Sequence, residues 1–243
     1  MKNLMWISTH YLKKNFLNPT NLIIIGLPLV FSFAFFLANN YILEMIGIEM
    51  PLIANLTIPL VLGFQFFGAD LTSDWLHHDL KGPTRSRLLV SPIDQRVFFG
   101  GVILTGWLFN VFYGSIVVAV TSIVFGVDWG NYGLVLLVML CFSFMAQFVG
   151  VLIFYFTKDE KSGTRLAYVF GEIMLGITFL PVLVSATNFG ERIDSIANYL
   201  PVNMGMNIIA NNYLVSNLAI ILGIIAILGV VIFLVGRHRS DNI

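Results

Sequence analysis

The chain has 243 residues, a formal net charge of zero, 58% apolar residues, 11% charged residues and a mean hydropathy of +0.88. This composition lies outside the balance of a water-soluble domain and is typical of a chain that requires lipid. The net charge is zero and no basic cluster is interleaved with aromatic residues, so nucleic-acid binding has no support in the sequence and we expect no nucleic-acid partner.

Six apolar runs are long enough to cross a membrane as helices, since a hydrocarbon core of about 30 Å requires about 20 helical residues. The segment from Leu218 to Leu228 is apolar on every side, whereas a transmembrane barrel strand alternates apolar and polar residues. We therefore predict an all-α polytopic membrane protein with six transmembrane helices. The predicted spans are residues 22–38, 52–69, 97–127, 129–157, 166–188 and 214–236.

The basic residues predict the orientation of these spans. Twelve of the thirteen Lys and Arg residues fall on one side of the six-span arrangement, and only Arg192 lies on the other. Basic residues in short loops stay in the cytoplasm during insertion, so we expect a multi-pass plasma-membrane protein with both termini cytoplasmic. No small-residue cleavage site follows the first run, which we expect to remain as a span. Cys141, the single cysteine, is expected to serve packing.

The N-terminal segment, residues 3–17, carries apolar residues at helical spacing on one side, with Lys13 and Lys14 on the other. Trp6 and Tyr11 are residue types that anchor helices at a membrane interface. We predict an in-plane amphipathic helix along the inner leaflet. A loosely ordered tail is the alternative.

The largest predicted cytoplasmic loop extends from Asp70 to Arg96 and contains the sequence Gly82-Pro-Thr-Arg-Ser-Arg-Leu-Leu-Val-Ser-Pro92. Gly-Pro can begin a helix, and the Ser-Pro step at its end would stop that helix about two turns later. We predict a short helix over residues 83–91 that presents two arginines beside an apolar patch to a soluble protein partner. The alternative is a solvated loop whose arginines only follow the charge rule.

Three segments together resemble the permease subunits of the ABC-2 transporter family. They are Lys13 to Pro19, Arg85 to Ile93 with the following Arg96 and Gly100-Gly101, and Asn198 to Asn203. The loop pattern of that family is an acidic residue, a Gly-Thr step and a leucine pair before a proline. Here the pattern falls on Asp79, Gly82, Thr84, Leu88, Leu89 and Pro92. Two departures are His78-Asp79, where the family often has a basic residue and a glutamate, and Pro83 within the Gly-Thr step.

The resemblance implies a six-span permease of a prokaryotic plasma membrane, surrounded by lipid and paired with a second copy or a related permease. It implies a coupling helix docked on a separate cytoplasmic ABC ATPase, which binds ATP and Mg²⁺ and drives export. It assigns ATPase coupling to Asp79, Gly82, Thr84, Arg85, Arg87, Leu88, Leu89 and Pro92. It also implies a short extracellular re-entrant hairpin over residues 189–213, for which a plain extracellular loop is the alternative.

Catalytic chemistry has no support in the sequence. No Gly-x-x-x-x-Gly-Lys-Ser/Thr segment occurs, so we expect neither an enzyme nor a cofactor site in this chain. Asp74, His77, His78 and Asp79 are metal-ligand residue types, but they lack His-Glu-x-x-His spacing and would crowd one loop. We therefore predict no metal site, and we expect the histidines to face lipid headgroups or the partner surface.

Three polar residues inside the apolar runs are candidates for a translocation path: Gln65, Gln147 and Glu172. An acidic residue at mid-span costs about 2.5 to 3.5 kcal/mol on insertion scales, so Glu172 should face protein or water. Its alternative role is contact with Arg165 or Lys161, and the glutamines could instead bridge helices. By resemblance, the second and fifth spans line the path.

The small number of charges within the spans favours an amphipathic or hydrophobic cargo, such as a drug, an antimicrobial peptide or a lipid-linked molecule. Two other functions stay open. A secondary transporter driven by an ion gradient would require paired carboxylates or interrupted, repeated spans, and only Glu172 is available. A membrane enzyme would require polar residues that converge at one membrane depth, and the sequence shows no such set. A scaffold without transport activity is the other alternative.

Overall fold

The computed structural model of the chain describes residues 9, 11–14, 19–39, 52–82, 85–86, 94–184 and 199–239. These residues form helices and the turns between them, and no strand occurs in the described ranges. The prediction of an all-α fold is therefore confirmed. The helices are α1 (Pro19–Leu37), α2 (Leu52–Phe64), α3 (Ala69–Leu80), α4 (Gln95–Phe125), α5 (Tyr132–Phe156), α6 (Glu160–Val184), α7 (Pro201–Ile209) and α8 (Leu214–Arg239).

Four helical segments of the described chain are long and apolar enough to cross a membrane. They are Ala54–Leu80, Val97–Phe125, Tyr132–Phe156 and Leu214–His238. The helices α1 and α6 occupy the positions of the predicted first and fifth spans, and α1 contributes the shorter apolar stretch Gly26–Leu37. The chain is thus a membrane protein, and the count of six spans stays a prediction.

One helix is longer than its sequence indicates. α2, a 3₁₀ turn (Gln65–Gly68) and α3 follow one another without a break, whereas the predicted second span ends at residue 69 and a loop follows it. The reason is burial, because polar residues such as Thr72 and His77 are enclosed by neighbouring helices instead of facing water. Polar residues can extend a membrane helix where they pair with other helices. We call the whole element the α2–α3 helix.

Helix α5 lies at the centre of the bundle, in contact with α3, α4, α6 and α8. Its Phe142 is fully buried in the main apolar core, with the ring of Phe66 at 5.3 Å between centroids. Ile208 of α7 and Ile221 of α8 belong to the same core. In lipid such side chains gain little from leaving the solvent, so close packing is what holds them together. This core fixes α5 against the α2–α3 helix, α7 and α8.

The turn between α4 and α5 is closed by Trp129, which is fully buried and donates its indole N–H to Thr121 Oγ1 at 3.0 Å. Asn131 caps α5, since its side-chain oxygen accepts from the backbone N–H of Gly133 at 2.9 Å. Gly130 has a φ of 63°, which L side chains rarely adopt. This short turn makes α4 and α5 adjacent.

Helix α7 has nine residues, begins at Pro201 and buries one face against the core. Gly205 permits this packing, because a Cβ there would lie 2.7 Å from Phe142 Cζ. Within the predicted re-entrant segment, residues 189–198 lie outside the described residues, and the remainder contains this packed helix. The extracellular location of the segment stays a prediction.

The N-terminal segment (residues 3–17) and the coupling segment (residues 82–92, which include the predicted helix over 83–91) are described in part. Residues 11–14 are helical, and the rest of the predicted in-plane helix, apart from Thr9, lies outside the described residues. In the coupling segment the structure describes Gly82 and Arg85. The residues Thr84, Arg87, Leu88, Leu89 and Pro92 lie outside the described residues.

Candidate functional site

A row of polar side chains connects the α2–α3 helix to its neighbours inside the bundle. Four of these residues lie on the α2–α3 helix itself, and each is at most 2% exposed. A buried polar group costs free energy unless it is hydrogen-bonded, so such a row requires partners on other helices. We call the row and its partners the polar seam. Its members are Gln65, Thr72, Ser73, His77, Asn110, Ser143, Gln147 and Thr157.

Gln65 begins the 3₁₀ turn and binds two neighbouring helices. Its Oε1 accepts a hydrogen bond from Ser143 Oγ at 2.9 Å, and its backbone oxygen accepts one from Asn110 Nδ2 at 2.8 Å. A backbone oxygen has two lone pairs, so it can accept the Asn110 amide in addition to a bond within the helix. Gln65 therefore joins the α2–α3 helix to both α4 and α5.

Gln147 is fully buried on α5 and accepts a hydrogen bond from Thr72 Oγ1 at 2.5 Å. Two glycines permit this crossing. A Cβ at Gly106 would collide with Gln147 Oε1, and a Cβ at Gly150 would collide with the backbone oxygen of Ala69. Small residues allow membrane helices to approach closely, so the bond forms where the backbones meet. The structure thus places Gln147 in a bridge between helices.

His77 lies near the end of α3 and connects it to the end of α5. Its Nδ1 is 2.7 Å from the backbone oxygen of Ser73, which can only accept, so Nδ1 carries a hydrogen. Its Nε2 is 2.9 Å from Thr157 Oγ1. A Cβ at Gly163 of α6 would lie 2.8 Å from the imidazole, so α6 also passes close by. The expectation that the histidines face lipid headgroups or a partner is wrong for His77, which faces protein.

Lys81 follows α3 and caps α5. Its Nζ donates to the backbone oxygens of Phe154 at 2.8 Å and Thr157 at 2.6 Å, and it lies 4.3 Å from the centroid of the Phe154 ring. The last carbonyls of a helix lack helical partners and carry partial negative charge, so a lysine there stabilises them. This contact ties the end of α3 to the end of α5.

Asp79 lies on the face of α3 that the N-terminal segment covers. It is 9% exposed, and its Oδ2 accepts a hydrogen bond from the hydroxyl of Tyr11. The Tyr11 ring lies 4.0 Å from the Trp75 ring between centroids, and Lys14 Nζ lies 5.8 Å from the same indole. These contacts hold the N-terminal segment against the end of α3. Asp79, to which the resemblance assigns ATPase coupling, therefore contacts the N-terminal segment.

Gly82 marks the point where the chain leaves α3. A Cβ there would collide with the backbone oxygen of His78, so glycine permits the tight exit. The backbone N–H of Arg85 donates to the Gly82 oxygen at 3.2 Å, and the Arg85 side chain is exposed. The coupling segment therefore begins directly beside the contacts of Lys81 and Asp79.

The turn from α5 to α6 is held by Asp159. Its two carboxylate oxygens accept from the backbone N–H and the hydroxyl of Ser162, each at 2.9 Å, as a residue before a helix start does. The Ser162 N–H, followed by its hydroxyl, holds the pKa of Asp159 below the usual range. This cap fixes the start of α6 next to the polar seam.

Glu172 lies on the outer face of α6. It is exposed, and so are the apolar Val169 and Ile173, which share its face at helical spacing. Among the described residues no salt bridge reaches Glu172, so the contact with Arg165 or Lys161 is not formed. The three candidate path residues are therefore not brought together, since Gln65 and Gln147 lie inside the bundle.

Sequence reasoning singled out Gln65 and Gln147 but missed Thr72, Asn110 and Ser143. A usable signal was present, because Ser143 and Gln147 stand four residues apart and so share one face of an apolar helix. In the described ranges, no group of three or more His, Cys, Asp or Glu residues is arranged to hold a metal ion. What the seam offers chemically is hydrogen bonding between helices.

Residues 81–237 match the family model for the ABC-2 family transporter protein. The match begins where the chain leaves α3, ends in α8 and covers well over half of the sequence. No curated protein matches the chain. The chain belongs to the ABC-2 transporter family, whose members are the membrane-spanning transport subunits of ABC transporters.

Proposed function

We propose that this chain is the permease subunit of an ABC exporter for an amphipathic or hydrophobic cargo, such as a drug, an antimicrobial peptide or a lipid-linked molecule. A separate cytoplasmic ABC ATPase binds ATP and Mg²⁺ and supplies the energy. The permease works in the plasma membrane with a second copy or a related permease. Family membership supports the permease role, and the low charge of the apolar helices supports an apolar cargo.

The observation that carries the proposal is the end of α3, where the chain enters the coupling segment at Gly82. The segment follows directly on α3, whose last turn is tied to three other parts of the chain. Lys81 binds the end of α5, His77 lies against Gly163 of α6, and Asp79 binds Tyr11 of the N-terminal segment. A displacement of the segment by an ATPase is therefore transmitted to the bundle through hydrogen bonds instead of being absorbed by a free loop.

The Glu172 face of α6 supports a route or a permease contact on that side. A carboxylate facing lipid is unfavourable by about 2.5 to 3.5 kcal/mol near mid-span, so this face is expected to meet water or protein in the assembly. Gln65 lines a small cavity between α1, the α2–α3 helix and α4, which supports its place in the proposed path. Gln147 supports the path indirectly, through its bond to Thr72.

The ATPase contact is tested by a charge reversal, Arg85→Glu, in the full chain. The matched control is Lys158→Glu, which reverses an exposed basic residue in the turn between α5 and α6. Affinity purification from native membranes, with mass spectrometry of associated ABC ATPases, should show loss of the ATPase with Arg85→Glu and retention with Lys158→Glu. The double variant Arg85→Glu/Leu88→Asp should also abolish the stimulation of ATP turnover. Retention of both properties in the double variant would contradict the coupling role.

One observation favours the ion-gradient alternative and must be tested beside the proposal. Asp70 and Asp74 stand four residues apart on α3, and Glu160 acts electrostatically on both, so three carboxyl groups lie near one another. Transport into inside-out vesicles separates the two functions. The ABC exporter requires ATP and persists after ionophores collapse all ion gradients, whereas a secondary transporter loses transport under that treatment.

A further inference from the structure

The small cavity between α1, the α2–α3 helix and α4 has a volume of about 40 Å³. On the same measure one water molecule requires about 10 to 15 Å³, so the cavity has room for about three waters. Much of its wall is apolar and includes the side chains of Phe64, Phe67 and Phe109. A small cavity with a wholly apolar wall stays dry, so the polar residues of this wall decide whether water enters.

Four polar side chains interrupt the apolar wall: Gln65, Asp70, Asn110 and Tyr113. Asp70 Oδ1 and the Tyr113 hydroxyl are buried, and neither has a hydrogen-bond partner among the described residues. Buried polar atoms without partners are rare in folded proteins, and ordered water is the usual partner where protein groups do not reach. Two such atoms in the wall of one cavity therefore indicate an occupant that satisfies both.

The two amides of the wall supply hydrogen-bond donors. Gln65 uses its amide oxygen for the bond from Ser143, so the hydrogens of its Nε2 are available to another acceptor. Asn110 Nδ2 donates one hydrogen to the backbone oxygen of Gln65 and keeps a second. The wall thus combines amide donors with the carboxyl acceptor of Asp70 and with the hydroxyl of Tyr113, which can both donate and accept.

This combination of donors and acceptors determines the class of occupant. An anion would meet the carboxyl group of Asp70, and a cation would meet the amide hydrogens of Gln65 and Asn110. Water both donates and accepts, so a cluster of waters can accept from the amides, donate to Asp70 Oδ1 and bond to Tyr113 at the same time. A buried water needs about two to four polar partners, and the four polar side chains of this wall provide them.

Two glycines allow the amide donors to reach the cavity. Gly68 and Gly114 both belong to its lining. A Cβ at Gly68 would collide with the amide of Asn110, and a Cβ at Gly114 would collide with the amide of Gln65. Each amide therefore occupies space that a larger residue on the facing helix would take.

We propose that this cavity is a hydration site in which about three ordered waters join Asp70 of the α2–α3 helix to Tyr113 of α4. The waters accept from the amides of Gln65 and Asn110 and donate to Asp70 Oδ1. They extend the polar seam along α4 from Asn110 to Tyr113. Helix α4 is thus held to the α2–α3 helix through water as well as through the direct bond of Asn110. The site lies within a single chain and does not depend on the ATPase or on the proposed transport activity.

X-ray footprinting of the purified full chain in nanodiscs tests for the waters without any variant. X-rays convert water to hydroxyl radicals, which oxidise a side chain beside a bound water even where bulk water does not reach, and mass spectrometry identifies the oxidised residues. Phe109 lines the cavity and is 3% exposed, whereas Phe142 is 0% exposed within the apolar core. We expect Phe109 and Tyr113 to be oxidised about tenfold faster than Phe142, because only the first two lie beside buried water. Equal oxidation rates at all three residues overturn the proposal.

The stability of Tyr113→Phe provides a second test, because the sign of its effect depends on the water. A hydroxyl that is bonded to water stabilises the fold, so its removal should raise the unfolded-to-folded ratio about fivefold in a detergent-denaturation titration. The matched control is Thr57→Val, which removes a buried hydroxyl that has no partner among the described residues and lies outside the cavity lining. This control should lower the ratio about fivefold, since an unpaired buried hydroxyl is unfavourable. A lower ratio in Tyr113→Phe, as in the control, overturns the proposal.

Discussion

The α2–α3 helix and α8 are both long enough to span a membrane, yet the protein uses them in opposite ways. The α2–α3 helix is the least apolar of the four candidate spans, and 67% of its most apolar stretch is buried within the protein. The corresponding share for α8, the most apolar of the four, is 6%. In lipid the apolar surface has a favourable solvent, so polar groups are what the bundle must enclose. Hydropathy therefore predicts where a helix lies in the membrane but not which helix forms the core.

The strongest test of this comparison uses one substitution where α5 meets the α2–α3 helix and one on α8. Gly150→Ala inserts a methyl group where α5 meets the backbone of α3, and we expect a loss of about 2 to 3 kcal/mol in the free energy of unfolding. Gly223→Ala on α8 meets nothing within 4 Å and should stabilise by up to about 1 kcal/mol, since alanine favours a helix. Detergent-denaturation titrations of both variants measure the difference. Effects of equal sign would contradict the packing described here.

The next largest effect is expected at Tyr11, for which Tyr213 is the control. Tyr11→Phe removes the hydroxyl bonded to Asp79, which should weaken docking of the N-terminal segment by about 1.5 kcal/mol, because the acceptor is a carboxylate. Hydrogen exchange of residues 11–14 should then be about tenfold faster. Tyr213→Phe, at an 80% exposed position just before α8, is the control and should leave this exchange unchanged. Unchanged exchange in Tyr11→Phe would show that ring packing on Trp75 alone holds the segment.

The smallest expected effect tests one hydrogen bond, from Thr72 of the α2–α3 helix to Gln147 of α5. A double-mutant cycle with Thr72→Val and Gln147→Leu should give a coupling energy of about 1 kcal/mol, within the range measured for bonds between membrane helices. The control cycle uses Ser122→Ala and Tyr132→Phe, whose hydroxyls lie 2.6 Å apart at an exposed site, and should give about 0.3 kcal/mol. Equal coupling energies in the two cycles would mean that burial does not strengthen the hydrogen bonds of the polar seam.

Apolar run length was sufficient to locate most of the helices, because α4, α5 and α8 are continuous runs that nothing but a helix can satisfy in lipid. It failed for α3, whose Asp70, Thr72 and His77 look like loop residues. Their burial depends on α5 and α6, which are distant in sequence, and no local pattern reports such contacts. Family resemblance, by contrast, was confirmed by the family match over residues 81–237, whereas the coupling role of residues 82–92 stays a prediction.

The candidate site was harder to predict than the fold. A lone polar residue in an apolar run has the same appearance whether it bridges helices, as Gln147 does, or lines a cavity, as Tyr113 does. The cavity requires three helices at once, and its unpaired atoms are visible only when neighbours have been placed. Glu172 was singled out from the sequence as an acidic residue within an apolar run, but only the structure shows that it is exposed on the outer face of α6.

The 3₁₀ turn Gln65–Gly68 has a geometric consequence for everything that follows it in the chain. Each 3₁₀ residue advances about 120° and 2.0 Å, against about 100° and 1.5 Å in an α-helix. Four such residues rotate α3 by about 80° and lengthen the α2–α3 helix by about 2 Å relative to an uninterrupted α-helix. A helical wheel drawn through this region therefore assigns the wrong azimuth to every residue after Gly68. If these four residues converted to α geometry, α3 would rotate about its axis by about 80° and shift along that axis by about 2 Å.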